Sequence, residues 1–109
     1  MLLSDVTGLP LYAFAGTKGR ICFVVWRGGG TCGQLSATAP VLWLINGGNR
    51  KRGQAVVGVV SDRVVAVDVS IRGKVVRARV RHNAFVVPFR YRQSEKLSPP
   101  PVSVAPVLR

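Results

Sequence analysis

The segment Arg63–Arg81, RVVAVDVSIRGKVVRARVR, constrains the fold more than any other part of the chain. A β-strand sends successive side chains to opposite faces, so an apolar set with a period of two marks a half-buried strand. Val65, Val67, Val69 and Ile71 fall on one face, with Val64, Ala66, Asp68 and Ser70 on the other. After Arg72-Gly73-Lys74 the alternation resumes, with Val76, Ala78 and Val80 on one side and Arg77, Arg79 and Arg81 on the other. The segment predicts a β-hairpin with a valine face and a basic face. Asp68, on the polar face, is expected to pair with Arg79 across the hairpin.

The same chemistry punctuates the rest of the chain. Residues 11–15, 20–26, 41–45, 54–60 and 84–89 read as further strands, because β-branched side chains suit a pleated surface better than a helix. Gly16–Gly19, Asn46–Asn49, Ser61-Asp62 and His82-Asn83 read as turns. Arg27–Gly33, RGGGTCG, reads as a flexible loop; it lacks the Lys-Ser/Thr of a phosphate-binding loop and no helix follows it. Gly58 inside a strand marks a bulge or a close backbone approach, and Pro88 places its strand at an edge. Residues 1–9 read as an irregular lead-in. The expected architecture is all-β, a small sandwich or barrel of about seven short, mostly antiparallel strands. A single domain covers residues 1–92, and the proline-rich residues 93–109 read as a C-terminal tail or linker.

Sixteen basic residues stand against four acidic ones, a formal charge of +12. Such a field attracts polyanions: nucleic acid, anionic lipid head groups or acidic glycans. Arg77, Arg79 and Arg81, with Arg72 and Lys74, form a candidate basic stripe, which Arg90 and Arg92 extend. Arg50, Lys51 and Arg52 form a basic loop. Nucleic-acid surfaces interleave basic and aromatic residues. Trp26, Trp43, Phe23 and Phe85 lie in apolar runs and read as core, which leaves Tyr91, between Arg90 and Arg92, as the exposed aromatic. No helix-turn-helix, RNA-recognition or zinc-finger pattern is present.

The residues that carry catalysis are scarce. The one histidine, His82, stands at a turn, and Asp5, Asp62, Asp68 and Glu95 are scattered without a spacing that fits acid–base work. Two cysteines ten residues apart and one distant histidine lack zinc-ligand spacing, so no metal and no cofactor is expected. A cysteine-dependent enzyme would use Cys22 with His82 as base, yet Cys22 opens a buried-looking strand. The leading expectation for the cysteines is a Cys22–Cys32 disulfide closing the glycine-rich segment, which implies an oxidising compartment; two free thiols imply the cytoplasm. No run of ~20 apolar residues predicts a spanning helix. MLLSDVTGLP is broken too early by Asp5, Gly8 and Pro10 to be a signal peptide. The chain is therefore expected to be cytoplasmic, or extracytoplasmic after removal of a signal.

The run GRICFVVWRGGGTCG, followed by VVGVVSDRVVAVDVSIRGKVVRARVRHNAFVV, resembles exported or membrane-tethered small β-domains of high-GC Gram-positive bacteria, a family with no assigned activity. Those domains carry a Cys before a strand, a glycine-rich segment, a second Cys, then GVVPDGV-like and VRDNAF-like stretches. The counterparts here are residues 58–64 and 81–85, with Ser61 where proline is usual. The resemblance covers about two-thirds of the chain. It implies extracytoplasmic or cell-envelope placement and says nothing of mechanism.

The expected function is non-catalytic: an interaction domain contacting a partner protein or an envelope polyanion through the arginine face. The alternative is a nucleic-acid-binding component of a ribonucleoprotein or phage particle that uses the same arginines.

Overall fold

All seven segments expected to be extended are strands in the computed structural model, which describes residues 2–4, 11–25, 28–46, 54–91 and 100–109. Those residues hold ten strands: β1 (Leu2–Ser4), β2 (Leu11–Ala15), β3 (Ile21–Val25), β4 (Gly30–Gly33), β5 (Val41–Asn46), β6 (Gln54–Val60), β7 (Val64–Ile71), β8 (Lys74–Arg79), β9 (Ala84–Phe89) and β10 (Val102–Leu108). They form three antiparallel sheets, ordered β1-β2-β3-β4, β5-β6-β9 and β10-β7-β8. The fold is all-β and sandwich-like.

The β5-β6-β9 sheet is apolar on both faces because both are covered. Ala55, Val57, Val59 and Ala84 join Leu11, Ala13, Phe23 and Val25 of the first sheet in one core. Val56, Val60, Phe85 and Val87 join Val67, Val69, Ile71 and Ala78 of the third sheet in another. A strand covered on both sides reads as a continuous apolar run, and QAVVGVV is such a run. Gly58 lies between Trp43 and Phe85 across the middle sheet. A Cβ there would stand 2.5 Å from the Leu42 carbonyl oxygen and 2.6 Å from the Phe85 ring. The register is continuous on both sides, so Gly58 marks a close approach and no bulge.

The β7–β8 hairpin turns on two residues, Arg72 and Gly73, with φ of 54° and 79°. Two positive φ values are the signature of a type I′ turn, whose twist matches the strands it joins. Val67, Val69 and Ile71 are buried as the alternation requires. Val65 departs from it. Val107 pairs with Ala66 but Leu108 with Val64, so β7 has one residue more than β10 at this point. The bulge turns Val64 inward and leaves Val65 39% exposed.

Three segments not read as strands contain them: residues 1–9, read as an irregular lead-in, hold β1 (Leu2–Ser4), which pairs with β2. Residues 93–109 are not simply a tail or linker: Val102–Leu108 pair with β7 over its length, Pro100 is buried, and Val102 and Val104 pack on the second core. Residues 92–99 lie outside the described residues. Arg72 N–H donates to the Pro101 carbonyl and Arg109 N–H to the Arg63 carbonyl. The first of these bonds fixes which rungs are hydrogen-bonded: Ala66, Asp68 and Ser70 exchange bonds with β10. Pro106 faces Val67 on an intervening rung, so its missing N–H falls on the open edge. The glycine-rich segment, expected to be a loop, contributes β4, and Cys32 stands directly opposite Cys22. Glycine suits Gly30 because a Cβ there would meet the Phe23 carbonyl oxygen at 2.8 Å and Val24 at 2.7 Å; a Cβ on Gly33 would press on the end of the Leu42 side chain at 2.8 Å.

Candidate polyanion-binding face

The outer face of the third sheet carries the arginines. A two-residue turn makes Ile71 and Lys74 a hydrogen-bonded pair, so Asp68 and Arg77 form a non-hydrogen-bonded pair, the type whose side chains approach most closely. Arg77 Nε donates to Asp68 Oδ1 at 2.8 Å and Nη2 to Oδ2 at 3.1 Å. Asp68 therefore pairs with Arg77 and not with Arg79, which faces Ala66. Arg72 and Gly73 alone form the turn, and Lys74, expected within it, pairs with Ile71, which sets Asp68 opposite Arg77. The forked hydrogen bonds, followed by the charge of Arg77, hold the Asp68 carboxyl below the usual carboxylate range. They raise Arg77 above the ordinary guanidinium value.

Arg77 and Arg79 lie on one face of β8, and Arg81 continues their parity. Alternate strand residues are ~6.6 Å apart. Both Arg79 and Arg81 are exposed, and neither makes an ion pair with another described residue. The other members of the expected stripe are placed differently. Lys74 pairs with Ile71 and so lies on the opposite face of β8. Arg72 is a fastener: its Nη2 donates to the Arg90 carbonyl at 2.7 Å. Arg90 is exposed beyond the end of β9. Tyr91 is half-buried, edge-on to Phe89 at 5.5 Å, with its N–H donated to Gln54 Oε1. Arg92 and the basic loop Arg50, Lys51 and Arg52 lie outside the described residues.

Cys22 and Cys32 have Cα atoms 4.0 Å apart and sulfurs at bonding distance. They bridge β3 to β4 on the face of the first sheet turned away from the core.

Two of the concave sites among the described residues escape sequence reading. One of about 440 Å³ is lined by Thr17, Lys18, Arg20, Gly33 and Gln34, and Gln34 Nε2 donates to the Lys18 carbonyl at 3.1 Å. The other, about 480 Å³, sets Ser61, Asp62, His82 and Asn83 over an apolar floor that includes Ile21 and Leu35. Asn83 ties its rim together by donating to Val60 O at 3.1 Å and to Asp62 Oδ1 at 2.8 Å. Each site joins loops distant in sequence, and no local spacing announces either.

No family model, curated relative or solved structure matches this chain. Among the described residues no helix is long and apolar enough to cross a membrane.

Proposed function

We propose that this chain is a non-catalytic binding domain whose arginine row engages an acidic partner protein or an anionic polymer of the cell envelope. The observation that supports this reading is the pair Arg79, at the end of β8, and Arg81, just beyond it, both exposed and in line with Arg77 in a chain of net charge +12. Arg77 is held in place by Asp68 and keeps 65% of its side chain exposed. An anchored guanidinium gives up less conformational freedom on binding an anion than a mobile lysine. The bonding distance between Cys22 and Cys32 is in keeping with an oxidising, extracytoplasmic setting.

The test is a salt titration of binding to a poly(glycerol phosphate) polymer and, in parallel, to single-stranded RNA. Affinity for the envelope-type polymer should fall steeply with salt, and Arg79→Glu with Arg81→Glu should weaken it about tenfold or more. Unchanged binding in the double variant would remove the arginine row from the site. A clear preference for RNA would move the reading to a nucleic-acid-binding component.

A further inference from the structure

The β8–β9 hairpin joins for one rung and then parts. His82 and Asn83, with φ of 52° and 63°, make a second two-residue turn, across which Arg81 and Ala84 exchange both backbone hydrogen bonds. Beyond that rung β8 runs with β7 in the third sheet and β9 with β6 in the middle sheet. Among the described residues no strand fills the fork between them, and its sides are unequal. In β8 the groups that point into the fork belong to residues of Arg81's parity: Val75, Arg77 and Arg79. Lys74, Val76 and Ala78 are already bonded to β7. In β9 the Val60 N–H bond to the Asn83 carbonyl fixes Phe85, Val87 and Phe89 toward β6. Pro88 therefore faces the fork and has no N–H to offer.

An open edge is ordinarily blunted against self-association. The β10 edge carries Pro106 and the β9 edge Pro88, each with its missing donor turned outward. The β8 edge carries no proline. Its six residues, KVVRAR, offer three outward N–H and C=O pairs, and its charges are all positive. Val75 is 61% exposed and Val76 42% exposed, one on each face of the strand. A second copy of this edge would set arginine against arginine. An acidic strand would meet Arg77 and Arg79 on one face and cover Val76 on the other.

We infer that the open edge of β8 takes up an extended peptide of alternating acidic and apolar residues from a partner protein, which adds as a fourth strand to the β10-β7-β8 sheet. Backbone hydrogen bonds to Val75, Arg77 and Arg79 supply its register, and the arginine row selects its charge. The inference rests on the proposed arginine-dependent function and narrows its partner to a protein segment.

The probe is a heptapeptide alternating glutamate and valine, measured by calorimetry against the whole chain, with inorganic polyphosphate as an anion that has no backbone to pair. Val75→Pro removes one outward N–H and leaves the β7 ladder intact, and a melting curve checks that the variant is folded. N-methylation of the peptide at the residues facing β8 makes the same deletion from the other side with the protein unaltered. Each change should weaken the peptide about tenfold or more and leave polyphosphate binding unchanged. Equal peptide affinity after both changes, or polyphosphate binding with no peptide binding, would overturn strand addition while the arginine reading stands. Failure of both probes to bind would overturn both.

Discussion

Arg77 grips both oxygens of Asp68 across a rung of the β7–β8 hairpin that carries no backbone hydrogen bonds. The pair is set by the turn. Arg72 and Gly73 alone separate the strands, so residue positions on opposite strands sum to a constant and Asp68 meets Arg77. The carboxyl is held below its unfolded value, so its contribution to stability is full above the unfolded pKa. That contribution is lost as pH falls through the lower, folded pKa. Asp68→Asn should therefore melt below wild type at neutral pH, and the gap should close as pH drops below ~4. Thermal melts from pH 7 to pH 2 check this; a gap that widens in acid would contradict it.

Gly58 has no room for a side chain in the middle sheet. A methyl group there meets the Leu42 carbonyl and the Phe85 ring, neither of which can withdraw without opening a core. Gly58→Ala should cost about 1–3 kcal/mol by overpacking. Phe85→Ala, which empties the same place, should cost about 3–5 kcal/mol. Denaturant unfolding of the two variants measures both, and a neutral Gly58→Ala would show that the sheet yields there.

The C-terminal strand is part of the folded unit. Ending the chain after Pro101 would bare the Ala66, Asp68 and Ser70 side of β7 and uncover Val102's and Val104's part of the core. The melting temperature should fall by about 10 °C or more. A free tail would leave it unchanged.

The Cys22–Cys32 bridge closes a short loop between β3 and β4. Non-reduced, denatured protein should take up no thiol reagent. Replacing both cysteines with serine should cost about 2–3 kcal/mol in the chain-entropy account. Two labels per chain in protein recovered from its native compartment would show that the thiols stay free.

Strands whose pattern is local could be read directly from the chain. Val67, Val69 and Ile71 announce a buried face by their spacing alone, Arg72-Gly73-Lys74 announces a turn but not its two-residue length, and Pro88 announces an edge. The arginines of β8 were legible as a row for the same reason: the period of two follows from backbone geometry and needs no partner. Packing settled what meets what. GTCG became a strand because Val24 and Leu42 fill the space its glycines leave, and VSVAPVL because β7 offered an edge whose rungs turn Pro106 outward. Asp68 found Arg77 because the two-residue turn sets every pair along the hairpin. Such pairings join residues far apart in the chain, and their free energy comes from burial against a second sheet, which no window of sequence contains.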